Sequence, residues 1–120
     1  MHRIGVDFGG TKIEAAVLDD QGQIIARRRR RNPGAYEPAL TTVAELVAEA
    51  EDLTRTRFAR VGVGMPGSIS PATGVIRNAN STWLNGRRFG EDLTDVLGRP
   101  VRLANDANCL ALSEAADGAA

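Results

Sequence analysis

Two short segments carry side chains whose types and spacing suit phosphate binding and proton transfer. In "GVDFGGTK", residues 5 to 12, Gly9 and Gly10 let backbone N–H groups approach an anion, Thr11 adds a hydroxyl donor and Lys12 a compact cation. Lys12 is the sole lysine of the sequence, against fourteen arginines. Asp7, at the end of a strand-like run, suits Mg²⁺ either directly or through water. The spacing is not that of a Walker A loop, which needs G-x-x-x-x-G-K-[ST]. A Gly-Gly pair between two strands is also an ordinary hairpin turn, and this segment alone leaves both readings open.

In "RLANDANC", residues 102 to 109, a strand ends at Asn105 and Asp106 and a helix begins. An aspartate there is either an N-cap or a base that takes a proton from a hydroxyl while Asn105 bonds the same small polar ligand. Asn108, one turn in, caps or packs. Between the two segments, "GMPGSISPATG" and "NANSTWLNG" concentrate amides and hydroxyls. Gly67, Ser68, Asn78, Asn80 and Trp83 could wall a sugar site, or form a polar loop that Trp83 anchors to the core.

Other conspicuous residues carry less chemistry. A strand alternates faces, so Arg27 to Arg31 cannot all share one surface, and no aromatic is interleaved to stack on bases. This is expected to be a solvated edge strand. His2 has no metal-ligand spacing, and Cys109 has no histidine to activate it.

The elements that must position these residues follow from apolar spacing. Residues 3 to 8 and 12 to 18 read as strands joined by the glycine turn, and "DDQG" at 19 to 22 turns the chain into a third strand that starts at Ile24 and Ile25. "NPG" at 32 to 34 breaks that strand. Leu40, Val43, Ala44, Val47, Ala50 and Leu53 then recur at helical spacing, with Pro38 and Glu37 suited to the first turn. "RVGVGM" at 60 to 65 is a buried strand. Residues 68 to 86 are turn-rich, with extended character at "GVIRNA", and residues 89 to 98 form a short helix ended by Gly98. "PVRLAND" is a strand and "ANCLALSEAADG" a helix. The order βββαβαβα predicts an α/β lobe with a mixed sheet flanked by helices. A dinucleotide-binding unit would place a helix directly after its first strand, which argues against that assignment of the glycines.

Composition bounds the class. The 120 residues are 42% hydrophobic and 25% charged, the balance of one folded domain. Fifteen acidic and fifteen basic residues cancel, so no net field draws the chain to nucleic acid or an anionic membrane. One cysteine permits no intrachain disulfide, and no apolar run has the length of a membrane span. A soluble, cytoplasmic protein with no nucleic-acid or membrane partner is expected.

Taken together, "GVDFGGTKIE", "VGVGMPGSISPATGVIRNANSTWLNG" and "VRLANDANCLALSEAADGAA" resemble the N-terminal lobe of ROK-family sugar kinases, in the actin, hexokinase and Hsp70 superfamily, over essentially the whole chain. The resemblance implies a ribonuclease H-like fold. It implies that Asp7, Gly9, Gly10, Thr11 and Lys12 form the first phosphate motif, that Gly67, Ser68, Asn80, Asn105 and Asp106 contact the sugar, and that Asp106 is the catalytic base. ATP and Mg²⁺ are the implied cofactors, with Asp7 toward the metal, and a hexose is the implied substrate.

The central stretch looks most like bacterial fructokinases of the manno(fructo)kinase type. Fructose phosphorylated to fructose 6-phosphate is therefore the expected reaction, with N-acetylglucosamine kinase and glucokinase as alternatives. The family's second lobe supplies the second phosphate motif, further sugar contacts and a Cys/His zinc cluster, and whole members are expected to be homodimers. The 120 residues are accordingly expected to be one lobe, residues 1 to 120, with little kinase activity of its own. Two other classes stay in view. One is a sugar-responsive repressor of the same family, which would need a helix-turn-helix ahead of residue 3, and the other is a stand-alone sugar-binding module.

Overall fold

A computed structural model of the chain describes residues 2–65, 68–69, 76–77, 84 and 86–105, with the backbone alone described at 65, 68, 69, 76, 77, 104 and 105. Strands β1 (Arg3–Phe8), β2 (Lys12–Leu18) and β3 (Ile24–Arg31) form an antiparallel meander. Helix α1 (Tyr36–Thr54) returns the chain to β4 (Val61–Met65), which pairs parallel with β1. A separate two-stranded piece, β5 (Ser68–Ile69) against β6 (Ile76–Arg77), precedes α2 (Phe89–Leu97) and β7 (Val101–Asn105). The main sheet has the order β3-β2-β1-β4-β7, with β7 parallel to β4. The extended character expected near 75 is thus a short hairpin outside the main sheet. The helix expected after residue 106 lies outside the described residues.

Both helices pack on one face of the sheet, because alternate residues of each strand point there. Ile4, Val6 and Phe8 of β1, Ile13, Ala15 and Val17 of β2, and Val61 and Val63 of β4 form the floor. Ala39, Leu40, Val43, Leu46, Val47 and Ala50 of α1, with Phe89, Leu93 and Leu97 of α2, cover it. Phe8 and Phe89 meet edge-on with centroids 4.9 Å apart, which fixes α2 over the end of β1. Gly98 ends α2 in the left-handed conformation, its N–H on Thr94 O at 2.8 Å, as its position in the sequence predicts.

One expectation needs correction. The apolar stripe of α1 includes Leu46 and not Leu53, which is 59% exposed in the last turn. Ile24 and Ile25 begin β3, as expected, and are exposed; the register shifts between Val17 and Leu18 and leaves Ile25 as an extra, unpaired residue on β3. The arginine strand is an edge of the sheet among the described residues, as expected. Its two faces differ: Arg28 reaches Glu49 at 3.1 Å and Arg30 reaches Glu45 at 2.7 Å, both on α1. No helix among the described residues is long and apolar enough to cross a membrane.

Candidate phosphate-binding site

In the β1–β2 turn the Gly9, Thr11 and Lys12 carbonyls are engaged. Gly9 N–H donates to Lys12 O at 2.9 Å. The Gly9 carbonyl accepts from Asn32 Nδ2 at 2.8 Å, and the Thr11 carbonyl accepts from the Asn32 backbone N–H at 2.7 Å. Among the described residues the N–H groups of Gly10 and Thr11 have no acceptor. A turn with three of its carbonyls engaged and two N–H donors outstanding is suited to an anion. The glycine requirement is one of close approach: a Cβ on Gly9 would lie 2.9 Å from the Lys12 carbonyl oxygen. The positive-φ glycines are others, at 22, 34, 86 and 98.

Around this cradle Asp7, Thr11 and Lys12 are exposed. Asp7 stands opposite Glu14 on β2 and level with Gly64 on β4. Two carboxylates directly across a ladder repel. Arg27 holds Glu14 at 3.2 Å and offsets that charge, a role the sequence did not signal. The donor set of N–H groups, a hydroxyl and an ammonium fits a phosphate chain, and one hard carboxylate on β1 fits a divalent cation beside it. Among the described residues no group of three or more His, Cys, Asp or Glu could hold a metal ion by itself.

The parallel strands bring their carboxyl ends together, where ligands of open α/β sheets sit. Asp7, Gly64 and Ala104 are level across β1, β4 and β7, so Asp7 and Ala104 lie two strand spacings apart, about 10 Å. Asn105 is the last residue of β7, and the chain leaves the sheet there. Asp106, the expected base, lies outside the described residues, as do Gly67, Asn78, Asn80, Trp83, Asn108 and Cys109; Ser68 is placed only as the start of β5. The described residues thus bring Asp7, Gly9, Gly10, Thr11 and Lys12 together at one turn, without the residues expected on the sugar. A hollow lined by Ala59, Arg60, Pro100, Val101 and Arg102 opens at the amino ends of β4 and β7, away from the cradle.

The sequence pattern of the ROK family matches residues 3–120. The chain belongs to the ROK family. An N-acetyl-D-glucosamine kinase of Pasteurella multocida is 43% identical over 116 residues, covering 96% of this chain and 38% of that protein. The N-acetylgalactosamine kinase AgaK of a Shewanella species is 39% identical over 92% of the chain and 36% of its own length. The ROK chain therefore spans well under half the length of these curated relatives.

Among solved structures, a ROK family glucokinase from Streptomyces griseus in complex with glucose and AMPPNP has a TM-score of 0.79 at 29% identity, over 90% of this chain and 34% of that one. An inorganic polyphosphate/ATP-glucomannokinase from an Arthrobacter species has a TM-score of 0.75 at 36% identity, over 98% of this chain and 49% of that one. The ROK chain has the ribonuclease H-like fold of these neighbours, a mixed five-stranded sheet with flanking helices.

One residue of this ROK site was missed from sequence. "NPG" at 32 to 34 reads as a strand break, yet Asn32 is buried and bonds the β1–β2 turn with both its side chain and its backbone. The readable signal is local: Asn32 Oδ1 accepts Gly34 N–H at 3.0 Å, the side-chain turn favoured by an asparagine two residues before a glycine. Its reach across 23 residues to Gly9 had no sequence mark.

Proposed function

We propose that residues 1 to 120 form the phosphate-binding N-terminal lobe of an ATP-dependent hexose kinase. The observation that carries this is the Gly9–Lys12 turn, with its Gly9, Thr11 and Lys12 carbonyls engaged and its Gly10 and Thr11 N–H donors outstanding, at the carboxyl end of β1, which is parallel to β4, itself parallel to the strand β7 that leads to Asp106. The kinase relatives and the AMPPNP-bound neighbour support it.

Asp106 takes the proton of the sugar's primary hydroxyl as that oxygen bonds to the γ-phosphorus, while the bond from that phosphorus to the bridging oxygen breaks and ADP leaves. The turn's N–H groups, Thr11 and Lys12 hold the transferring phosphates and offset charge on them. Mg²⁺, held by Asp7, would supply further charge neutralisation on the phosphates. Asp106 enters through the family resemblance, as do Gly67, Ser68, Asn80 and Asn105 on the sugar.

The names of the relatives favour N-acetyl-D-glucosamine, another N-acetylhexosamine or glucose as acceptor. Fructose has the resemblance of the central stretch alone behind it. The whole protein is proposed to be a cytoplasmic homodimer, with any zinc held outside this lobe.

The deciding experiment is Asp106→Asn in the full-length gene product, assayed against N-acetylglucosamine, glucose, mannose and fructose. Retained sugar binding with transfer reduced at least about 100-fold is expected. Near wild-type turnover would overturn the role of Asp106. Robust ATP-dependent phosphorylation by the 120-residue chain alone would overturn its reading as a partial lobe.

A further inference from the structure

We infer that Asn32 is the positioning residue of the phosphate cradle, setting which way the Gly10 N–H points. The inference rests on the phosphate reading above and adds a residue to it that lies outside the glycine turn.

A carbonyl and the following N–H belong to one rigid trans unit and point in opposite directions, and the described backbone has no cis peptide bond. Asn32 Nδ2 draws the Gly9 carbonyl toward itself at 2.8 Å, so the Gly10 N–H is aimed away from Asn32. The Asn32 backbone N–H likewise fixes the Thr11 carbonyl at 2.7 Å, and with it the plane shared with Lys12. Asn32 follows β3, which lies beyond β2, so away from Asn32 means toward the β4 side of β1, where the parallel strands end.

Asn32 is itself held. It is 7% exposed, and Oδ1 is occupied by Gly34 N–H at 3.0 Å, which fixes the carboxamide with its NH₂ toward Gly9. Gly34 has a φ of +78°, a turn conformation that returns its N–H to Oδ1. The sequence "NPG" thus does two things: it stops β3 and it orients the hairpin 23 residues earlier.

The test uses Asn32→Asp and Asn32→Ala in the full-length gene product. Asn32→Asp keeps the shape, the acceptor for Gly34 and the backbone bond to Thr11, and replaces the donor facing Gly9 O by an acceptor. The expected result is a fall of about 10- to 100-fold in kcat/KM for ATP with the KM for the sugar unchanged, since misplacement by a fraction of an ångström acts on the phosphates alone. A purely structural role would lower kcat in proportion to the folded fraction and leave both KM values alone. That pattern, or a wild-type kcat/KM for ATP in Asn32→Asp, would overturn the inference.

If neither variant folds, titration of the wild-type protein with ATP and with tripolyphosphate, followed by amide NMR, decides it. A shift at Gly10 that saturates supports the inference, and an unmoved Gly10 amide overturns it. Absence of transfer to every hexose together with a Gly10 shift would sink the kinase reading and leave Asn32 in its role.

Discussion

Arg99, in the turn after α2, places Nη1 2.6 Å from Oε2 of Glu51 near the end of α1, with the two side chains only 11% and 13% exposed. The same Glu51 oxygen accepts Phe58 N–H at 2.8 Å, and Arg99 also donates to the Phe58 carbonyl at 3.1 Å. Three segments are thereby tied at one nearly buried point. Removing one partner strands the other, so Glu51→Ala or Arg99→Ala is expected to destabilise by about 3 kcal/mol. The double variant is expected to cost less than the sum of the two. Urea denaturation of the four proteins checks both statements. Arg99→Lys is not expected to restore stability, because an ammonium lacks the planar fork whose Nη1 reaches Glu51 and Phe58 while Nε donates to the Leu97 carbonyl.

A second tie joins the starts of the two helices. The buried Tyr36 hydroxyl donates to Asp92, and Arg87 lies 4.6 Å from the ring centroid. Burial first, then the hydrogen bond to Asp92 and its charge, raise the Tyr36 pKa above the ordinary value of 10.0. A raised pKa means that the unfolded chain loses this proton first. The contribution is therefore complete below about pH 10 and is lost as pH rises through the folded value. Thermal melts from pH 8 to pH 11 are expected to show a steeper alkaline decline for wild type than for Tyr36→Phe. At neutral pH, Tyr36→Phe is expected to cost about 1 to 2 kcal/mol.

Gly9→Ala tests the turn itself. With a Cβ 2.9 Å from the Lys12 carbonyl, backbone must move on one side or the other. The expected outcome is a loss of about 1 to 3 kcal/mol with weakened ATP binding, read by denaturation and calorimetry. Unchanged stability and affinity together would show that the turn is not tightly set.

Lys12 and Arg31 are directly opposite across β2 and β3, and neither has an ion pair among the described residues. Like charges so placed destabilise a ladder. Arg31→Thr is expected to raise stability by a few tenths of a kcal/mol, measured by urea denaturation at low salt, with the gain shrinking as salt screens the pair.

The fold was legible wherever one residue type dominated a local choice. The Gly9–Gly10 pair between apolar runs gave the hairpin, Gly98 ended α2, and the break at 32 to 34 separated β3 from α1. Helical spacing found most of the α1 stripe. Leu53 continues that spacing but sits in the last turn, where Glu51 is the residue that meets the following loop. Periodicity reports direction and not what lies in that direction. The bulge that leaves Ile25 unpaired is a register effect, set by pairing with β2. Half of the candidate site was legible for the same reason: a glycine turn is a local feature, whereas the hold of Asn32 on Gly9 exists only after β3 has been laid beside β2. Asp106 rests on its motif, being beyond the described residues.

The arginine strand has a consequence for assembly. β3 is an outer strand among the described residues, and an outer strand offers its free backbone to any chain that can pair with it. A second copy laid edge to edge there would bring five adjacent guanidinium groups, residues 27 to 31, against five more. Glu49 and Glu45 offset Arg28 and Arg30 on the helix-facing side and Glu14 offsets Arg27 on the other, so Arg29 and Arg31 carry most of the repulsion. Growth of the sheet in that direction is opposed by charge rather than by cover, which disfavours this edge as a surface on which copies associate.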